Sequence, residues 1–367
     1  MEIAPVTDGR GLDRFIAFPY QHYRGDPLWV PTLRMDVRTL LTPGKNPFFE
    51  HAEAQYFVGR SDGRTVGRIA AIKNDAHNRT WSDRVGFYGF FECVDDQRVA
   101  NALFDAAAAW LRSKRFAVMR GPMSPSINDE CGLLVKGFET PPTLMMPHNY
   151  PYYATLHERY GFTKAKDLLA FESSSTEMPE RIARAATVIA QRKGITLRPL
   201  NMKRFREEVE RVKALYNQAW EQNWGFVPLT EAEIDHLAKQ LKPIVEPDLV
   251  CFAELGSQVI GFAVALPDLN VALKHNPSGR LYGLPKILWY SRKIDRVRIL
   301  LLGAVREYRM TGVDALMYHW IWTKGLEHGY TWGEGGWILE DNVPMVNAAL
   351  QLGFRPYKTY RVYDKPL

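Results

Sequence analysis

Two stretches that read alike decide the fold: residues 85–111, VGFYGFFECVDDQRVANALFDAAAAWL, and residues 298–321, RILLLGAVREYRMTGVDALMYHWI. Each opens as an apolar strand, Val85–Cys93 and Arg298–Val305, and then changes period. In the first, Val99, Ala102, Leu103, Ala106, Ala107, Trp110 and Leu111 share one helical face. In the second, Val313, Leu316, Met317, Trp320 and Ile321 do the same. Apolar residues at i, i+3, i+4 and i+7 mark a helix laid on a sheet.

Working outward, the agreement continues on both sides. Ahead of the first stretch lies a hairpin, Gln55–Arg60 and Thr65–Ile72, turning at Ser61-Asp62-Gly63. Ahead of the second lies another, Leu249–Leu255 and Gln258–Leu266, turning at Gly256-Ser257. Aligning Val99 with Val313 sets Gly121 opposite Gly335, at the ends of the next expected strands. Asn149-Tyr150-Pro151 then leads through a short helix to Gly161-Phe162 and a strand, Leu168–Glu172. Asn342-Val343-Pro344 leads likewise to Gly353-Phe354 and a strand, Thr359–Asp364. In each, Asn is placed to cap, Pro sits near the first turn and Gly ends the helix.

Correspondences repeated in one order indicate an internal duplication. The expected fold is α/β (α+β), with two tandem domains, each a mixed, mostly antiparallel twisted sheet flanked by helices. Residues 1–175 form the first, residues 176–195 a polar linker and helix, and residues 196–367 the second. The aromatics of the extension 1–50 are expected to cover part of the first sheet.

A chain of 367 residues exceeds one comfortable core, which suits two domains. Aromatics make up 12%, with ten Trp, enough to line clefts for something apolar. Cys93, Cys131 and Cys251 are scattered without metal or disulfide spacing, which fits a reducing cytoplasm and no metal. The chain has no apolar run of about 18 residues, the length that spans a bilayer, and its first residues lack a signal-peptide pattern. The net charge of +6 favours anionic partners. The basic residues are spread rather than striped, so no nucleic-acid partner is expected.

The order strand, strand, strand, loop, helix, strand, helix, strand resembles the GNAT acyltransferase superfamily, in which the loop before the helix wraps the CoA pyrophosphate. The family's loop runs Arg/Gln-x-x-Gly-x-Gly/Ala. Arg309-Met310-Thr311-Gly312-Val313-Asp314 matches its first two positions and departs at Asp314. A helix N-terminus offers free N–H groups and partial positive charge to phosphate. The resemblance therefore implies an acyl-CoA site at Leu302, Val305, Arg306, Arg309, Thr311, Gly312, Val313 and Asn342. In the first copy Asp95 stands opposite Arg309 and Arg98 opposite Gly312, an acidic loop that repels pyrophosphate.

The resemblance also places the thioester where the fourth and fifth strands of the second copy diverge. There a backbone N–H near Leu302 or Gly303 polarises the carbonyl. Glu334, the one carboxylate of Tyr330–Trp337, is the expected base, flanked by glycines that leave space and by tryptophans that desolvate it. Trp332 and Trp337 are expected to contact substrate. The Tyr that many members use as general acid falls at Ala349, so the acid is Tyr308, Tyr318 or His319, or the thiolate leaves unaided.

Two further segments stand out. Residues 121–132 form a long polar loop whose Asn128, Asp129 and Glu130 could bind an amine, or simply hold the loop together. Residues 281–298 mix Leu, Ile, Trp and Tyr with five basic residues from Lys286 onward, a pattern that suits an anionic membrane surface, an acyl channel, or ordinary packing.

Three phrases are similar to a bacterial group of tandem GNAT proteins that includes or neighbours the bacterial ceramide synthases. They are Asn46-Pro47-Phe48-Phe49, Gly121-Pro122 with Asn128 to Leu134, and Gly335 to Asn342. The function this implies is N-acyl transfer from acyl-CoA or an acyl carrier protein to a primary amine, including long-chain sphingoid amines. The alternatives are a non-catalytic acyl-CoA or lipid binder and an aminoacyl transferase acting on a cell-wall precursor.

Overall fold

The computed structural model describes residues 1–221, 223–309 and 311–367, with only the backbone of residues 185, 187 and 190–193. Met310 of the expected phosphate loop lies outside the described residues. The first half supplies β1 (Glu2–Pro5), α1 (Gly9–His22), α2 (Arg34–Leu40), β2 (Ala52–Ser61), β3 (Arg64–Asn74) and α3 (Asp75–Trp81). It continues with β4 (Val85–Cys93), α4 (Gln97–Ser113), β5 (Val118–Gly121), β6 (Met123–Ser124), β7 (Glu130–Cys131) and β8 (Leu133–Lys136). It closes with α5 (Tyr152–Tyr160) and β9 (Thr163–Ser173).

The second half begins with α6 (Glu180–Lys193), β10 (Ile195–Pro199), α7 (Phe205–Trp220), α8 (Glu231–Leu241), β11 (Val250–Leu255) and β12 (Gln258–Pro267). After α9 (Asn270–Leu273) and α10 (Leu284–Ser291) come β13 (Arg296–Ala304), α11 (Val313–Glu327) and β14 (Trp332–Leu339). The chain ends with α12 (Val343–Gln351) and β15 (Arg355–Pro366).

Two compact units result, and neither is one continuous stretch. Unit 1 holds Met1–Leu168, Asn270–Arg292 and Lys358–Leu367, and unit 2 holds Leu169–Leu269 and Lys293–Tyr357. In unit 1 the strands run β1-β2-β3-β4-β5, and the last residues of the chain complete the sheet, Tyr363 pairing with Gly121 and Pro366 with Val118. In unit 2 the order is β9-β14-β13-β12-β11-β10. The duplication is thus visible in both units: four antiparallel strands, then one parallel step, β4 to β5 and β13 to β14.

In each unit the helix after the fourth strand carries the core. Val99, Leu103, Ala107 and Leu111 of α4 are buried, joined by Ala100, Phe104 and Ala108, while Ala102, Ala106 and Trp110 sit at the margin. Val313, Leu316, Met317 and Ile321 of α11 are buried, with Trp320 packed beside them. Phe15, Phe18, Tyr20 and Tyr23, from the N-terminal extension, are buried in unit 1. The expected cap at Asn149 is a correction. Its side chain bonds the backbone N–H and carbonyl of Leu134 instead, whereas Asn342 caps α12 by accepting from the Met345 N–H. Gly335 falls inside β14 rather than at its end.

Candidate active site

In unit 2, β13 pairs with β14 only from Arg296 to Ile299, opposite Trp332 to Gly335. Leu300 is an extra residue on β13, since Ile299 faces Ala265 of β12 while Leu301 faces Val264. Such a bulge bends its strand and increases its twist. Past it lies an opening edged by Leu300–Gly303 on one side and Gly336–Ile338 on the other. All of these residues are half-exposed although their strands are interior to the sheet.

Unit 1 has the same geometry, filled. β4 pairs with β5 only over Val85–Phe87, and it bulges between Gly89, opposite Ala70, and Glu92, opposite Arg68. Here the chain after β5 lies against the bulge: Phe90 donates its N–H to Ser124 Oγ at 2.9 Å. A Cβ on Gly89 would stand 1.7 Å from the Met123 carbonyl oxygen, so only glycine permits this approach. Asn128, Asp129 and Glu130 belong to the loop that makes this plug. Asp129 accepts from Ser126 Oγ at 2.6 Å, Asn128 donates its N–H to Ser126 Oγ, and Glu130 pairs with Ser124 across β6 and β7.

The helix starts differ in the same sense. Asp96 caps α4, accepting from the Arg98 N–H at 2.8 Å, so a carboxylate occupies the place a phosphate would take. The cap of α11 is Gly312 (φ 88°), and no side chain among the described residues caps it. Arg309 does not face this helix start. Its guanidinium donates to the carbonyls of Gln218 and Ala219 at the end of α7, at 3.1 and 2.9 Å. Thr311 Oγ1 donates to the Tyr308 carbonyl, Val313 is 1% exposed in the core, and Val305 is buried. Of the side chains expected at the phosphates, Arg306 is exposed, in the single turn Arg306–Tyr308 that precedes α11 in the chain.

Glu334 is fully buried and both its oxygens are engaged. Arg298 Nε lies 3.3 Å from Oε1, and Tyr357 donates its hydroxyl to Oε2. Arg298, itself buried, also donates to the Gly336 carbonyl at 3.0 Å. Gly303 packs on α7, where a Cβ would meet the Trp220 ring at 2.8 Å. Trp332 donates to Glu172 at 3.1 Å and stands edge-on to Tyr357, while Trp337 follows on the edge of the opening. Of the other candidate acids, Tyr308 packs against the core, and burial pushes the Tyr318 phenol well above its usual range.

A groove of about 50 Å³ lies beside the paired part of β13 and β14, lined by Ile299, Tyr318, Trp322, Leu326, Trp332 and Phe354. At the surface, Glu246, Asp248 and His328 come within 4.8 Å of one another, and His328 Nε2 already meets Asp248 at 3.0 Å.

Sequence reading passed over another carboxylate, Glu92, whose side chain is 12% exposed. In unit 1 Glu92 accepts from Tyr23 at 2.5 Å and from Tyr153 at 2.7 Å, with Arg68 3.7 Å away. Tyr153 also meets His22 Nε2 at 3.0 Å. Burial raises the Glu92 pKa against the pull of Arg68, and burial with Arg68 lowers that of His22 to about 4. The available signal was that Glu92 is the one carboxylate in β4, as Glu334 is in β14.

No protein-family model matches the chain. It is 37% identical to a "Bacterial ceramide synthase" of Caulobacter vibrioides, over 100% of this chain and 98% of the relative. It is 36% identical to "Protein YghO" of Escherichia coli, over 97% of this chain and 93% of that one. Among solved structures, a tandem GNAT protein from the clavulanic acid biosynthesis pathway superposes with a TM-score of 0.60 at 14% identity, covering 100% of this chain and 98% of that one. At 37% and 36% identity over nearly the full length, the chain belongs to the family of the Caulobacter vibrioides ceramide synthase and YghO, and its fold is that of a tandem GNAT protein.

Proposed function

We propose that the chain moves an acyl group from acyl-CoA to the primary amine of a long-chain, sphingoid-type acceptor, with the thioester in the opening between β13 and β14. One observation carries this reading: Leu300–Gly303 and Gly336–Ile338 are partly exposed in unit 2, whereas in unit 1 Met123 and Ser124 lie against the β4 bulge. The acceptor class rests on the name of the Caulobacter vibrioides relative. The α11 N-terminus and Arg306 would hold the pyrophosphate. An acyl carrier protein would present the same thioester, and rates measured with each donor would tell the two apart.

A backbone N–H of β13 past the Leu300 bulge would stabilise the oxyanion. The amine nitrogen attacks the carbonyl carbon, the C–N bond forms, the C–S bond breaks and CoA leaves as thiolate. Since both Glu334 oxygens are engaged, the amine's proton would pass to the Tyr357 oxygen while the phenolic proton moves to Glu334. Glu334 then acts as the base through Tyr357.

Thiol release from palmitoyl-CoA in the presence of sphinganine tests the reading. The wild-type chain should release thiol and form amide, and Tyr357→Phe should lower kcat by about 10²-fold or more, the typical worth of acid–base catalysis, with KM little changed. Acyl-CoA binding without thiol release would favour the non-catalytic reading instead.

A further inference from the structure

Unit 1 takes in a segment from the second half of the chain, Asn270–Arg292, that is fixed on one side and apolar on the other. Its inner side is tied down. Asn270 donates to the Pro142 carbonyl at 2.9 Å, the Arg34 N–H to the Gly279 carbonyl at 2.8 Å, and Arg34 Nε to the Ser278 carbonyl at 2.9 Å. Gly279 (φ 62°) lies so close to Tyr20 that a Cβ would stand 2.4 Å from its ring. Asn276 is buried and donates to the Arg280 carbonyl, while Ala272, Leu273 and Ile287 are buried.

The outer side is unlike an ordinary protein surface. Leu281 is 50% exposed, Tyr282 72%, Leu288 68% and Trp289 60%, within nine residues of chain. Single exposed apolar residues are normal, but a contiguous group of this size marks a docking surface. Lys274, Arg280, Lys286 and Arg292 are exposed in the same segment, and Asn270–Arg292 contains no Asp or Glu. An apolar face with a Trp and a Tyr, on a segment whose charged residues are all basic, complements a surface that is apolar inside and negatively charged at its rim. A bilayer containing anionic lipid has that structure. No described helix is long and apolar enough to cross a membrane, so contact would be at the interface.

We infer that residues 281–292 of this chain dock on the surface of an anionic lipid bilayer, with Leu281, Tyr282, Leu288 and Trp289 in the headgroup–acyl boundary and Lys274, Arg280, Lys286 and Arg292 over the lipid phosphates. This inference does not depend on the acyl-transfer reading, although it gives a long-chain acceptor a source: the bilayer in which such an amine dissolves.

The test is cosedimentation of the full chain with vesicles of phosphatidylcholine and phosphatidylglycerol at 3:1, against vesicles of phosphatidylcholine alone. Wild type should bind the mixed vesicles at least tenfold more tightly than the neutral ones, and the difference should shrink as salt rises. Leu288→Ser with Trp289→Ser should lower binding to the mixed vesicles at least tenfold. Lys286→Ser with Arg292→Ser, at exposed positions, should lower it roughly 25-fold, about fivefold for each charge removed. Unchanged binding in both double variants would overturn the inference. So would a wild-type dimer that fails to bind vesicles and becomes monomeric on Leu288→Ser with Trp289→Ser, because the face would then belong to a second copy of the chain.

Discussion

Arg298 and Glu334 face each other in parallel register across β13 and β14, Nε to Oε1 at 3.3 Å, with both side chains buried. They stand one rung before Ile299 and Gly335, the last pair before the strands diverge, so one ion pair sits near the root of the opening. Removing one member of a buried pair strands the other charge, while replacing both by apolar groups removes the desolvation cost as well.

The first prediction follows from that pair. Arg298→Met alone should destabilise the chain by about 3–5 kcal/mol, the usual cost of a lone buried charge. Arg298→Met with Glu334→Leu should recover most of that loss while abolishing acyl transfer. Urea unfolding of the two variants and wild type gives the comparison. Equal destabilisation of single and double variants would show that the pair's charge is not what sets its cost.

Gly312 gives a second. Its φ of 88° disfavours any side chain, and a Cβ would meet Ile189 Cδ1 at 2.4 Å. Gly312→Ala should cost roughly 1–2 kcal/mol for the left-handed backbone, plus the clash. Adding Ile189→Ala should remove the clash and leave the backbone cost. In a double-mutant cycle by urea unfolding, the cost of Gly312→Ala is expected to be smaller in the Ile189→Ala background.

The third concerns pH. His157 is buried against Phe91, Phe104, Phe162, Tyr88 and Tyr363, with Nδ1 bonded to the Tyr153 carbonyl at 2.7 Å. Burial lowers its pKa from 6.5 to about 4. The unfolded chain therefore takes up a proton below pH 6.5 that the folded chain refuses until about pH 4. The stability from neutral His157 is complete above pH 6.5 and is lost as pH falls toward 4, at about 1.4 kcal/mol per pH unit. Urea midpoints between pH 7 and 4 should fall less steeply for His157→Phe than for wild type.

Much of this was open to reading from the chain alone. The step from period 2 to period 3.6 at Cys93 and Val305 located both strand–helix pairs, because an apolar stripe has one way to reach a sheet. The loop contrast between Asp95-Asp96 and Arg309–Gly312 also foretold unlike helix starts, and Asp96 does cap α4. What stayed hidden depends on contacts far apart in sequence. Nothing near Glu334 announces Arg298 or Tyr357, and nothing in Arg309 announces that its guanidinium turns to the end of α7. Asn149 reads as a cap because Pro151 follows, yet Leu134 offers it both a donor and an acceptor. The polar loop after Gly121 gave no sign that Met123 and Ser124 would lie on the β4 bulge. That contact is what separates a filled copy from an open one.

The central claim is that the open copy takes the thioester, and amide hydrogen exchange with and without palmitoyl-CoA tests it in one experiment. Exchange should slow over residues 300–316, covering the β13 bulge and the start of α11, and stay unchanged over residues 88–98, the same places in unit 1. Protection confined to residues 88–98 would contradict the account and move the acyl site to the unit whose opening is filled here.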